Sequence, residues 1–249
     1  MSMQFDKLNV LSAYQIVSRQ LRRMIDAGSL KAGDQLPTEA ELAEQFGVNR
    51  STVREGIRQL ENEGLVRREG RKRLSVSVPN SKDLAPQASR ALVMRQVTFK
   101  ELWEVALALE PVCAALCAKN RTSEQCLAIE RNIKEALDSK DDTTRCTELD
   151  TRFHELVAEG AHNRAMLVSR LPVGMLLIPA FDILRLLLPQ AIGRMLIAHD
   201  HIAAAIRQGD AGEAELWMRR HVMDFRRGWE LAKLRPDTPI ELPKAMAEI

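Results

Sequence analysis

Arg50, Ser51, Thr52, Arg54 and Arg58 are spaced so that one face of a helix could carry the chemistry of nucleic-acid contact. A guanidinium can bridge the O6 and N7 acceptors of guanine with two parallel hydrogen bonds, which discriminates by roughly 1–3 kcal/mol per good pair. The hydroxyls of Ser51 and Thr52 can reach a phosphate or a base edge. Further on, Glu69-Gly70-Arg71-Lys72-Arg73 gathers cations at the tip of a turn, where they suit phosphate or minor-groove contact. From Arg50 to Arg73 there are eight basic and four acidic residues, so a net +4 sits there in a chain whose total is only +2. A second set of residues suits metal chemistry. Asp150 and His154 stand four apart, on one face of a helix, and His199 and His221 lie on either side of Gly209-Asp210. One carboxylate and three imidazoles form a borderline donor set for a divalent ion such as Zn, Ni, Mn or Fe. On spacing alone, a surface Asp–His pair and two satisfied core histidines account for them at least as well.

The elements that must position the first set are written in the same stretch. Thr38 is a good N-cap, with Glu41 three residues on as in a capping box and Glu39 in the first turn. Leu42, Ala43 and Phe46 give a short helix its apolar face, and Gly47 permits a tight left-handed turn. Asn49 caps a second helix whose inward stripe is Val53, Ile57 and Leu60, leaving the arginines outside. That geometry places side chains in a major groove. Leu65 to Arg68 and Leu74 to Val78 read as two strands of a hairpin wing, and Ser12 to Ala27 reads as a preceding helix stopped by Gly28.

The second set needs a helical bundle. Pro79-Asn80-Ser81-Lys82-Asp83 is a polar linker, and the charge balance reverses across it, from 13 basic and 10 acidic residues before to 23 and 24 after. Beyond it the periodicity predicts helices near 84–95, 99–119, 123–138, 142–160, 163–176, 178–207 and 210–233, the sixth kinked or broken near Pro189. Asp210 with Glu213 is a capping box, and Gly209 is the preceding stop. His199 and His221 stand at similar distances from that turn, so antiparallel packing brings them level. The fold expected is mostly α: a winged helix-turn-helix unit over 1–78, a linker and first bundle segment over 79–97, an all-α antiparallel bundle over 98–235, and a loose tail over 236–249.

Composition narrows the class. A chain of 249 residues with 4% aromatic residues suits two domains, one of them rich in helix. The N-terminus lacks the apolar core of a secretory signal. The apolar run from Leu171 to Leu188 is broken by Pro172, Pro179, Asp182 and Arg185, so a buried helix is expected there and no membrane partner. Cys113, Cys117, Cys126 and Cys146 form no C-x-x-C pair and are expected as buried thiols, with a redox switch as the alternative. These features point to a bacterial cytoplasmic protein, nucleoid-associated when bound to DNA.

Residues 36–66 resemble the N-terminal domain of the GntR family of bacterial transcription regulators. Leu36, Pro37, Glu39, Leu42, Ala43, Val48, Arg50, Val53, Arg54, Glu55, Leu60, Gly64, Leu65 and Val66 stand in the family's places. Three positions depart from the pattern. Ala40 replaces a base-reading arginine, Gly56 replaces the usual alanine, and Lys72-Arg73 stand where a second wing glycine is usual. The resemblance implies DNA contact by Thr38, Arg50, Ser51, Thr52, Arg54, Arg58, Gly70, Arg71, Lys72 and Arg73. Residues 98–228 resemble the FCD ligand-binding domain of the FadR-like branch. They carry Asp150-Thr151-Arg152-Phe153-His154, then His199 with Ala205-Ile206-Arg207-Gln208-Gly209-Asp210, then Met218-Arg219-Arg220-His221. In metal-binding members these Asp and His positions hold the ion, which implies a metal on Asp150, His154, His199 and His221. His162 and His201 are weaker candidates. Family members often place an effector-holding arginine four residues before the glutamate that is Glu110 here, but that position is Ala106. Arg152, Arg185 and Arg194 are then the candidate effector cations.

The function expected is a metabolite-responsive repressor that binds double-stranded operator DNA as a homodimer. Its effector would be a small organic acid bound beside the metal. A metal sensor, a mononuclear metal-dependent hydrolase and a metal-free acyl pocket are the alternatives.

Overall fold

Ser12 opens α1 (Ala13–Asp26), its backbone N–H bonded by Gln15 Oε1 at 3.0 Å. The same capping chemistry recurs at α2 (Glu39–Phe46), where Thr38 Oγ1 accepts from Glu41 N–H at 3.3 Å and Thr38 N–H donates to Glu41 Oε2 at 2.7 Å. Gly47, at φ +64°, makes the left-handed turn to Asn49, whose Oδ1 accepts from Thr52 N–H at 2.8 Å and starts α3 (Arg50–Asn62). The hairpin is β2 (Val66–Glu69) against β3 (Arg73–Val76), with Glu69 paired to Arg73. A two-residue strand, β1 (Gln35–Leu36), adds to the other side of β3, giving an antiparallel sheet of order β1-β3-β2. No periodicity exists in two residues, so the sequence did not announce it. The computed structural model describes residues 11–70, 73–79 and 81–242, which divide after Asp83 into two compact units.

Val53, Ile57 and Leu60 of α3 are all at 0% exposure and close the first unit's core with Val17, Leu21, Leu42, Val66 and Leu74. The departure at Gly56 has a packing reason. A Cβ there would meet the Tyr14 carbonyl oxygen at 3.0 Å and Val17 Cγ1 at 3.1 Å, so α1 crosses α3 at the glycine. Gly56→Ala would gain about 1 kcal/mol of helix propensity but incur about 1–3 kcal/mol of overpacking against a backbone atom that cannot turn aside. We expect a net loss of about 1 kcal/mol in this unit, read from its denaturant midpoint.

The second unit is helical: α4 (Ser81–Met94), α5 (Phe99–Asn120), α6 (Ser123–Asp138), α7 (Thr143–Gly160), α8 (Arg164–Leu187), α9 (Gln190–Gln208) and α10 (Ala211–Leu231). The capping boxes of Thr98 with Glu101 and of Thr122 with Gln125 begin α5 and α6. Gly209, at φ +78°, ends α9, and Asp210 Oδ1 caps α10 through Glu213 N–H at 3.0 Å. α10 packs on α5 and α9, and α5 also packs on α7 and α8. Phe99 stacks on Trp229 at 4.1 Å, and the Trp103 indole N–H donates to the Val222 carbonyl at 2.8 Å.

Two expectations are corrected. The chain does not break near residue 177. α8 runs through Pro172 and Pro179 and breaks at Leu188-Pro189. Burial of Val173, Leu176, Ala180 and Leu184 on one side offsets the interior prolines. The segment from Pro236 is also not loose as far as Leu242. The Pro236 carbonyl accepts from Lys100 N–H at 3.0 Å, Ile240 N–H donates to the Val97 carbonyl at 2.8 Å, and Ile240 is buried. α8 is long and apolar enough, by length and composition alone, to cross a membrane. It also carries the buried Arg170 inside this bundle.

Candidate nucleic-acid interface and metal centre

The cap, stripe and turn of α2–α3 leave Arg50, Ser51, Arg54 and Arg58 on the exposed side of α3, while Thr52 is half-buried. Both hydroxyls serve the helix start: Ser51 Oγ and Thr52 Oγ1 each donate to Asn49 Oδ1 at 2.7 Å. The Thr38 hydroxyl likewise donates to Glu41 Oε2 at 2.9 Å. Arg54 is held from behind. Its Nε donates to Glu39 Oε2 at 3.1 Å, and Glu39 Oε1 accepts from Arg68 Nη2 of the wing at 3.1 Å. Burial pushes Glu39 up, but the guanidiniums of Arg54 and Arg68 outweigh it and hold the carboxyl below the usual range. One carboxylate at the start of α2 thus ties the outer face of α3 to β2. Gly70 and Arg73 are exposed at the hairpin end, while Arg71 and Lys72 lie outside the described residues. Ala40 is exposed beside this face and brings no cation to it.

In the bundle, α7 brings Asp150 and His154, α9 brings His199, and α10 brings His221 to one point. A ligand atom from each lies within 4.8 Å of all the others. His199 Nε2 stands 3.4 Å from Asp150 Oδ1, His154 Nε2 stands 3.2 Å from His221 Nε2, and His154 Nε2 stands 4.0 Å from Asp150 Oδ1. Asp150 Oδ1 and His199 Nε2 are buried without a hydrogen-bond partner, although they face each other. Two orphaned buried polar atoms are costly, and a cation between them would satisfy both. The residues present therefore fit a divalent ion.

The surroundings prepare these donors. Phe153, at 0% exposure, stacks on the His199 ring at 3.7 Å and 13°, fixing its plane. Glu110 of α5 lies 3.1 Å from His154 Nδ1, where its carboxylate accepts a hydrogen bond from the Nδ1–H and leaves Nε2 for the cluster. Arg170 Nε of α8 donates to the other Glu110 oxygen at 2.7 Å. Burial raises Glu110, but Arg170 and His154 outweigh it and bring the carboxyl down to about 2. Burial beside His154 brings His221 down to about 3, and burial beside His221 and His154 lowers His199 well below the usual range. Both rings are neutral at neutral pH, as metal ligands must be. Burial lowers His154, but Glu110 and Asp150 outweigh it and raise it. Burial, with the nearby Glu110 carboxylate, raises Asp150 and outweighs the lowering by His154 and Arg170.

The remaining candidates fall elsewhere. His162 Nε2 faces Gln125 Oε1 at 3.0 Å, and His201 stacks on Trp217 at 3.8 Å. Burial pushes the Cys113 and Cys117 thiols up to about 12, and Cys146 is buried too, but Cys126 is only half-buried, so three of the four match the expectation of buried thiols. Beside the metal set opens a cavity lined from α5, α7, α8, α9 and α10, with Asp150, His154 and His221 of the set on its wall. Arg152, Arg185 and Arg194 are not among the residues lining it. Arg152 pairs with Glu155 and Glu159 at 3.0 Å, Arg185 with Asp182 at 2.9 Å and Arg194 with Asp224 at 2.8 Å. The cation at the cavity is Arg170, which sequence reasoning missed. Its only sequence signal is an arginine inside an apolar helix.

Comparison with known proteins agrees with both halves. Residues 13–76 match the family "Bacterial regulatory proteins, gntR family", and residues 101–224 match the FCD domain. The transcriptional regulator LutR of Bacillus subtilis is 29% identical over 203 residues, covering 80% of this chain and 93% of LutR. The transcriptional repressor NanR of Klebsiella aerogenes is 26% identical over 226 residues, covering 86% of this chain and 84% of NanR. The match to YdhC of Bacillus subtilis, also a transcriptional regulator, is 29% identical and spans 59% of that protein. Among solved structures, Streptococcus agalactiae GntR superposes with a TM-score of 0.63 at 29% identity, covering 86% of this chain and 99% of that one. The two family matches between them span the DNA-facing unit and most of the bundle, and the chain belongs to the GntR family of transcription regulators, in the branch that carries an FCD domain.

Proposed function

We propose that the protein is a metabolite-responsive repressor that binds a near-palindromic operator as a homodimer, with a divalent ion and an organic-acid effector in the bundle. The observation that carries the DNA-binding half is that Arg50 and Arg54 stand outward on a helix whose inner stripe is fully buried. Two such helices about one DNA turn apart would enter successive major grooves. Arg50, Arg54 and Arg58 reach bases, while Thr38, Ser51, Thr52 and the wing tip Gly70, Arg71, Lys72 and Arg73 position the backbone. The repressor and metabolite elements draw support from the relatives' names and from the cavity. Asp150, His154, His199 and His221 would hold the ion, for which the two orphaned atoms argue. When bound, the ion supplies a Lewis-acidic positive charge for a ligand oxygen. Effector binding then shifts the population between DNA-competent and incompetent states, with the bundle coupled to the DNA-binding unit through the segment at 79–83.

The test is a footprint on the DNA upstream of the protein's own gene, with and without candidate metabolites. A chain that binds no DNA sequence-specifically sinks the reading. Titrating DNA affinity against the ion, with no organic acid present, separates this scheme from one in which the ion itself is the signal.

Glu39 offers a finer check. If it aims Arg54, Glu39→Gln lowers the ratio of operator to random-DNA affinity by up to about 5-fold, since an exposed ion pair is worth about 1 kcal/mol at most. Anisotropy titrations at one salt concentration measure this. An unchanged ratio would leave Glu39 a helix-start residue only.

A further inference from the structure

Arg170 is 4% exposed, yet among the described residues its guanidinium makes one hydrogen bond, from Nε to Glu110. A guanidinium carries five N–H donors, so four are left without a protein acceptor among the described residues. Those ends face the cavity, in which Arg170 is the only lysine or arginine among the described lining residues. Gly174, one turn on in α8, makes the pose possible. A Cβ there would lie 2.7 Å from Arg170 Nη2 and 3.3 Å from Cζ, so the guanidinium lies against the bare helix backbone. Opposite this single cation stand the apolar side chains of Leu177, Phe181, Leu184, Met195 and Phe225. The lining hydroxyls of Thr147 and Thr151 already donate to Asp182 and the Thr147 carbonyl, and Asp224 accepts from Arg194.

Charge sets how many anionic groups the cavity accepts. Its carboxylates are Glu110, Asp150 and Asp224, and Arg194 pairs with Asp224 at 2.8 Å. Against these three negative charges stand Arg170, Arg194 and a divalent ion. One positive charge is left over, enough for one carboxylate and not for two. A polyhydroxylated body lying along the apolar side would bury hydroxyls against Leu177, Phe181 and Leu184, which offer them no partners.

We infer that Arg170 anchors the effector's single carboxylate, and that the effector is a monocarboxylate with an unsubstituted hydrocarbon body lying along the α8 wall. This rests on the reading of the bundle as an effector-binding domain. It narrows the ligand to one class and assigns its recognition to a residue on α8, with Gly174 as the positioning residue.

Three probes of equal carbon number test it: hexanoate, adipate and gluconate, titrated calorimetrically into the zinc-loaded full chain without DNA. The expected order places hexanoate at least about tenfold above the other two, because each of them adds polar groups that the walls leave unsatisfied. Arg170→Met should weaken hexanoate by about 10- to 100-fold, the range of a charge-assisted hydrogen bond, when variant and parent are compared at equal zinc occupancy. Arg170→Lys should recover only part of this, since an ammonium cannot fork. If Arg170→Met fails to fold with Glu110 left unpaired, Gly174→Ala carries the test: it displaces the guanidinium, keeps the charge and should also weaken hexanoate. Adipate or gluconate binding as tightly as hexanoate, no binding of any probe, or folded variants that bind like the parent would each overturn the inference. A chain that binds hexanoate through Arg170 but no operator would overturn the regulator reading and leave this one standing.

Discussion

Replacing Arg50 and Arg54 together by alanine is expected to reduce operator affinity by about 2–6 kcal/mol, two guanine-reading pairs at roughly 1–3 kcal/mol each. Binding would fall toward the level of random DNA while the fold is kept. Both side chains are exposed, and the helix they leave is held from inside by Val53, Ile57 and Leu60. Arg54 does give up its contact with Glu39, but that pair is 63% exposed on the arginine side and contributes little to stability. Anisotropy with operator and scrambled duplexes, beside a thermal melt, separates the two effects. If the double variant occupies the operator as the parent does, the outward face of α3 is not the reading surface.

Removing the ion should give the second large effect. We expect about one divalent ion per chain in the purified protein, lost on chelation. With free ion about a thousandfold above its Kd, linkage stabilises the folded state by about 4 kcal/mol. At about 2–4 °C per kcal/mol for a domain of this size, chelation should lower the melting midpoint by about 8–16 °C. His199→Ala removes a ligand and also bares the face of Phe153. It should cost more metal affinity than the about 10–100-fold expected when an outer partner such as Glu110 is lost. A midpoint indifferent to chelator, with no ion found by elemental analysis, would return Asp150, His154, His199 and His221 to the status of packed core residues.

Much of this was legible because it is local. Thr38 with Glu41, Gly47, Asn49 and the Val53–Ile57–Leu60 stripe lie within a few residues of one another, and each acts on its own stretch of backbone. Asp150 and His154 were legible as an i, i+4 pair, and His199 and His221 by their similar distance from a recognisable stop and cap. Arg170 was not. Its meaning depends on α8 lying against α5 so that it meets Glu110 sixty residues earlier, and on a glycine one turn away that reads as a helix weakness. The break in α8 was misplaced for a related reason. Proline is a strong local stop signal, and only the burial of Leu176, Ala180 and Leu184 shows why the helix continues past two of them. Residues 236–242 were read as loose from their proline spacing, whereas a single buried isoleucine and two backbone hydrogen bonds hold them.

The same two prolines give α8 an uneven mechanical character. Neither Pro172 nor Pro179 can donate a backbone hydrogen bond, so the carbonyls of Val168 and Met175 have no helical donor four residues on. The rod is softest at those two levels, and the stretch between them holds Gly174 and Leu177. Bending compliance is thereby concentrated in the part of the helix that a bound molecule would press, while α9, which brings His199, has no interior proline and stays stiff.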